Sequence, residues 1–210
     1  MKGIIFDLDG VIVSTDKLHY AAWKKMADDE SIYFDEQINN RLRGVSRMAS
    51  LEIILEKANK TYTDEEKLAL AEKKNNLYRE LLKELTPADR LPGVTKTLDE
   101  LKARGFKLAI GSSSKNTPQI LKYIGLDGFF DAVSDGNNIT HSKPDPEVFL
   151  KASEMLGLSP EDCYIVEDST AGIEAGLAGG FSTIGIGDAA LCGRTLYKIR
   201  SFDEILGIVK

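Results

Sequence analysis

Short apolar runs recur at 3–6, 107–111, 130–134, 164–166 and 182–186, and helical periodicity fills most of the stretches between them. Runs of that length, flanked by helices, suit strands buried on both faces, as a parallel sheet with helical crossovers requires. The alternation predicts an α/β fold with a Rossmann-like, doubly wound parallel sheet. One interval breaks the rhythm, because from about Asp16 to Leu85 the chain reads as helix after helix with no strand signal. Leu51, Ile54, Leu55 and Ala58 recur at helical spacing, as do Leu70, Leu77, Leu81 and Leu82, each set marking a stripe that packs within a bundle. The interval predicts an inserted helical domain over residues 15–87, carried by an α/β core of residues 1–14 and 88–210. The crossings Val13-Ser14-Thr15-Asp16 and Leu85-Thr86-Pro87-Ala88 have the polar and proline content of a hinge.

Composition narrows the classes of function. The 210 residues are 42% hydrophobic, enough to fill such a core and its insertion. A net charge of -6 argues against a nucleic-acid surface, so an anionic substrate needs locally placed cations. Cys163 and Cys192 show no metal spacing, which favours free thiols over a disulfide or zinc site. No charged-then-apolar leader precedes the first run, and no apolar stretch approaches the roughly 20 residues of a membrane span. A cytoplasmic monomer without membrane or nucleic-acid partners is expected.

In an open parallel sheet, ligands bind beyond the carboxyl ends of the strands. After the first run, Asp7 and Asp9 flank Leu8 just before Gly10. Two carboxylates there can share one reaction centre, one attacking a phosphorus and the other moving a proton. A solvated Asp-Gly turn is the other reading. After the second run comes Ser112-Ser113-Ser114-Lys115-Asn116, whose backbone amides and hydroxyls suit phosphate and whose Ser114 or Asn116 also suits a helix cap, with Pro118 in the first turn. Lys143 precedes Pro144, which keeps it extended, and Asp145 can cap a helix that has Pro146 in its first position. The fourth run ends in Glu167-Asp168. Together these acids call for a cation, and magnesium fits an oxygen-only set, whereas zinc wants histidine or cysteine. The two histidines, His19 and His141, neighbour none of these acids in sequence.

The Asp-x-Asp-Gly start, Ser112, Lys143 and Glu167-Asp168, in this order, resemble the haloacid dehalogenase superfamily of phosphotransferases along the whole chain. That resemblance implies that Asp7 is the nucleophile that forms an aspartyl phosphate and that Asp9 is the general acid and base. It implies that Ser112, Ser113 and Lys143 hold the transferred phosphate. It also implies one magnesium ion bound by Asp7, Glu167, Asp168 and the backbone carbonyl of Asp9.

Within that superfamily, Thr15, His19 and Trp23, then Leu42-Arg43-Gly44-Val45-Ser46-Arg47, then Lys74-Asn75, with Ser114-Lys115-Asn116, are similar to the sugar-phosphate mutases that carry a helical cap. By that similarity Arg47, Ser114, Lys115 and Asn116 hold the substrate's second phosphate, while Trp23, Leu42, Gly44, Val45, Ser46 and Lys74 meet the sugar. Thr15 and His19 help to position Asp9. The implied reaction interconverts β-glucose 1-phosphate and glucose 6-phosphate, with glucose 1,6-bisphosphate as activator and intermediate. A phosphatase that hydrolyses the aspartyl phosphate is the alternative. Read from the residues alone, His19 and Trp23 lie four apart on one helix face and suit packing equally well, and Arg47 suits a solvated charge. Ser14 stands where relatives commonly carry aspartate, and Arg43 where close relatives carry lysine. The loop from Asp135 to Thr140 has its own composition and is expected to touch none of these roles.

Overall fold

The computed structural model describes residues 2–42 and 45–209. It divides the chain into two compact units, Met1–Ser14 with Thr86–Lys210, and Thr15–Leu85.

The larger unit is built on one parallel sheet. Its strands are β1 (Gly3–Phe6), β2 (Lys107–Gly111), β3 (Ala132–Ser134), β4 (Cys163–Glu167), β5 (Ser182–Gly185) and β6 (Tyr197–Lys198), in the order β3-β2-β1-β4-β5-β6. In register, Ile5 stands between Ala109 of β2 and Ile165 of β4. Ile4, Ile5 and Phe6 are fully buried, as a central parallel strand demands. The first, second and fifth runs become strands close to their expected limits. β3 begins two residues later than the run at 130–134, because the Asp131 carboxylate accepts from the Leu108 amide and Phe130 turns its ring onto Phe6. β6 has no apolar run to announce it, being two exposed residues paired with β5.

The smaller unit holds α1 (Asp16–Asp29), α2 (Glu36–Asn40), α3 (Arg47–Leu55) and α4 (Asp64–Leu82). Side chains start three of them: Asp35 accepts from the Ile38 amide, Ser46 from the Ala49 amide, and Thr63 with Glu66 forms a capping box. Trp23, Met26, Ile38, Leu51, Ile54 and Leu70 share its core. The stripe expected on α4 is shifted, since its buried residues are Leu70, Ala71, Lys74, Asn75, Tyr78 and Leu82, and Leu77 and Leu81 are only half-buried. A stripe with lysine, asparagine and tyrosine at its centre escapes a reading based on apolar spacing.

Returning to the larger unit, α5 (Val94–Ala103), α6 (Thr117–Tyr123), α7 (Glu147–Leu156), α8 (Thr170–Ala178) and α9 (Ile205–Ile208) complete the fold. Val148 and Phe149 of α7 pack against Ile5, Ala109 and Ile165. Among the described residues, no helix is long and apolar enough to cross a membrane.

Candidate active site

β1 sits at the middle of the sheet, where the chain order reverses, so the crevice at its carboxyl end is the natural ligand site of this topology. Asp7 follows β1 directly, and its amide donates to the Val166 carbonyl of β4 at 2.9 Å. Lys143 reaches the same place from the segment before α7. Its Nζ lies 2.5 Å from Asp7 Oδ1 and 2.5 Å from Glu167 Oε1, and all three residues are buried. The other oxygen of Glu167 accepts from the amide and the hydroxyl of Ser169, each at 2.9 Å. The Lys143–Pro144 peptide is cis. α7 starts at Glu147, one residue after the expected Pro146, and Asp145 Oδ1 accepts from the Glu147 amide at 2.9 Å.

Burial pushes the Asp7 carboxyl up to about 7; Lys143 opposes that rise, while Glu167 and Asp9 add to it. Burial likewise pushes Asp168 up to about 8, and Asp7, Glu167 and Asp9 push in the same direction. Burial pulls the Lys143 ammonium down, but Asp7 and Glu167 outweigh it and hold that group above the ordinary lysine range. One lysine thus faces four mutually repelling acids, a surplus of negative charge that a divalent cation would offset. The donors are all oxygens, which fits magnesium. Asp168 presses so closely on Gly10, at φ 82°, that a Cβ there would lie 2.0 Å from Asp168 Oδ2. Gly172 gives Glu167 similar room, since a Cβ there would lie 1.9 Å from its carboxylate. The residues present fit the ion.

The segment after β2 is folded on itself. The buried Ser112 accepts from the Ser114 amide at 3.2 Å, and Ser114 Oγ accepts from the Asn116 amide at 3.2 Å. Asn116 occupies the cap position of α6 without a side-chain cap bond, and Pro118 lies in the first turn. Ser113 Oγ is buried with no hydrogen-bond partner, an unsatisfied polar group of the kind that a bound ligand can satisfy.

In the smaller unit, α1 and α4 bring polar groups together. Thr15 Oγ1 lies 2.9 Å from the Tyr78 hydroxyl, and Lys74 Nζ lies 2.9 Å from His19 Nδ1. The His19 ring stacks on Tyr78 with centroids 4.1 Å apart. The buried Lys74 ammonium lies 4.6 Å from the ring centroids of both Trp23 and Tyr78, within cation–π range. Burial, then the charges of Lys74 and Arg47, hold His19 well below the usual histidine value, so it is neutral. Arg47 opens α3 half-buried, and that burial lowers its guanidinium while Glu72 opposes the change. Trp23 and Leu42 are buried in the helical core, Ser46 caps α3, and Val45 is exposed. Arg43 and Gly44 lie outside the described residues.

The pattern of haloacid dehalogenase-like hydrolases matches residues 1–180. The chain belongs to that family. Among curated members, a β-phosphoglucomutase of Bacillus subtilis is 44% identical over 89% of this chain and 84% of its own length. A phosphatase of phosphorylated carbohydrates from Thermotoga maritima is 30% identical over 100% of this chain and 99% of its own. Among solved members, a β-phosphoglucomutase of Clostridium difficile superposes with a TM-score of 0.90 at 37% identity, covering 98% of this chain and 93% of that one.

Sequence reasoning missed Tyr78, which links Thr15, His19 and Lys74. The available signal was its place four residues after Lys74, which puts both side chains on one face of α4.

Proposed function

We propose that this family member is a β-phosphoglucomutase that interconverts β-glucose 1-phosphate and glucose 6-phosphate, using one magnesium ion and glucose 1,6-bisphosphate as activator and intermediate. The observation that supports this reading over a simple phosphatase is the half-buried Arg47 at the start of α3, in the unit that does not hold Asp7, together with the 44% identity to the Bacillus subtilis β-phosphoglucomutase. A mutase needs groups for a second phosphate that hydrolysis does not require.

In this scheme Asp7 carries a phosphoryl group on a carboxylate oxygen. The 6-hydroxyl of β-glucose 1-phosphate attacks that phosphorus, Asp9 takes the hydroxyl proton, and the Asp7–phosphorus bond breaks to give the bisphosphate. After the sugar turns over, Asp7 attacks the 1-phosphate and Asp9 returns the proton to the departing oxygen, which leaves glucose 6-phosphate. Ser112, Ser113 and Lys143 hold the reacting phosphate, and Arg47, Ser114, Lys115 and Asn116 the other. Asp7, Asp168, Glu167 and the Asp9 carbonyl are the candidate magnesium ligands, and the bound ion would neutralise charge on the transferring group. Thr15 and His19 support Asp9, and Trp23, Leu42, Gly44, Val45, Ser46 and Lys74 meet the sugar. A phosphatase acting on a sugar phosphate is the second reading, favoured by the 30% identity to the Thermotoga maritima phosphatase.

Replacing Arg47 separates the two. Arg47→Ala should weaken mutase turnover by about 2–5 kcal/mol in transition-state terms, the scale of losing one partner of a desolvated charge pair. Phosphorylation of Asp7 by acetyl phosphate, which has no second phosphate, should stay near wild type. Equal losses with both donors would contradict the role of Arg47.

A further inference from the structure

The loop after β3, to which the sequence assigns no role, touches the segment after β2. The Gly136 amide donates to the Ser114 carbonyl at 3.3 Å, and Asn137 Nδ2 donates to the Lys115 carbonyl at 3.0 Å. The loop is itself braced. Asp135 Oδ1 accepts from the Asn137 amide at 2.8 Å, while Asn138 Oδ1 accepts from the Ser134 hydroxyl at 3.2 Å and the Asp135 amide at 3.1 Å. Lys151 of α7 donates to the Asn138 carbonyl. Ser134, Asp135 and Gly136 are buried beneath this network.

The approach of the two loops leaves no room for a side chain at position 136. A Cβ there would lie 2.5 Å from the Ser113 carbonyl oxygen and 2.9 Å from both the backbone nitrogen and Cγ of Lys115. Gly136 does not have the positive φ that demands glycine elsewhere in this chain, so close approach alone requires it. Two hydrogen bonds and one steric limit therefore fix where the carbonyls of Ser114 and Lys115 stand.

We propose that Gly136 and Asn137 are positioning residues that set the place from which Ser114 and Lys115 meet the substrate's second phosphate. The proposal rests on the mutase reading, under which those two residues hold that phosphate. Lys115 is exposed on a flexible stem, so a fixed backbone beneath it reduces what must be ordered when the anion arrives.

The test compares Gly136→Ala, Asn137→Ala and Asn137→Asp with the wild type, measuring kcat and KM for β-glucose 1-phosphate and the rate of Asp7 phosphorylation by acetyl phosphate. Gly136→Ala should raise KM about tenfold, because a displacement on the order of 1 Å is costly for a positioned group. Asn137→Ala should raise it about threefold to tenfold, the equivalent of one hydrogen bond. Asn137→Asp, which aims an anion at a carbonyl and at the phosphate, should be worse than the alanine. In the Asn137 variants phosphorylation by acetyl phosphate should stay within about twofold of wild type, since a purely structural defect would slow both reactions. Gly136→Ala, whose Cβ also presses on the Ser113 carbonyl, should slow both. Should Gly136→Ala fail to fold, the exposed Asn137 pair carries the test. An unchanged KM in folded variants, or an equal loss with acetyl phosphate in the Asn137 variants, overturns the proposal. A wild type that releases only free phosphate overturns the mutase reading instead, and the same variants then show whether the loop positions that substrate.

Discussion

Asp7 and His19 show how far a single side chain determines behaviour here. Asn is nearly isosteric with Asp and can still accept from Lys143, so Asp7→Asn should leave the unfolding free energy from urea titration within about 1 kcal/mol of wild type while abolishing turnover, since an amide is a poor nucleophile. Phosphoryl transfer that survives in this variant would remove Asp7 from its assigned role. His19 gives a pH-dependent stability whose sign follows from its lowered value in the fold. The unfolded chain protonates this ring near 6.5 and the folded one only at much lower pH, so the unfolded state binds the extra proton in between. Stability from this group is complete above about pH 7 and declines as pH falls below about 6.5, by at most about 1.4 kcal/mol per pH unit. His19→Gln should flatten that decline relative to wild type in urea titrations at pH 5 and 7.5, and parallel curves would contradict it. Asp7 was legible in the sequence because it ends a short apolar run two residues before Asp9, and Lys143 because Pro144 follows it. The Lys74 pairing with His19 spans 55 positions and carries no local signal.

Elements decide which faces are buried, and α4 and α8 show where apolar spacing succeeds and fails. β1 to β5 were readable from their apolar runs, as was the stretch of helices between the two crossings, whereas the two exposed residues of β6 were not. The face of α4 was not, because Lys74, Asn75 and Tyr78 are polar residues buried with partners, and hydropathy counts them as solvent-facing. α8 carries Gly172 in its first turn against Glu167. In a helix, Gly→Ala is ordinarily stabilising by about 1 kcal/mol. Here the new Cβ would sit 1.9 Å from the Glu167 carboxylate, so the clash outweighs propensity. Gly172→Ala should lower the unfolding midpoint and, by shifting Glu167 away from Lys143, slow phosphorylation of Asp7. A variant that is more stable and fully active would show that this approach is slack.

At the scale of the whole molecule, a parallel sheet brings residues from four distant strand ends to one edge. Three of these sets directly follow apolar runs in the sequence, while Lys143, beyond a polar loop, is marked by the proline after it. What the sequence could not show was the grip of the loop after β3 on the segment after β2, since loop residues bonding through backbone carbonyls leave no periodic trace. The same core serves a mutase or a phosphatase, and the fate of the phosphoryl group on Asp7 tells them apart. The purified protein should therefore be given β-glucose 1-phosphate, magnesium and a trace of glucose 1,6-bisphosphate, with glucose 6-phosphate and free phosphate followed together. The mutase account predicts rapid formation of glucose 6-phosphate that depends on the bisphosphate, with free phosphate a minor product. Free phosphate released in step with loss of the substrate, with no glucose 6-phosphate, would contradict it.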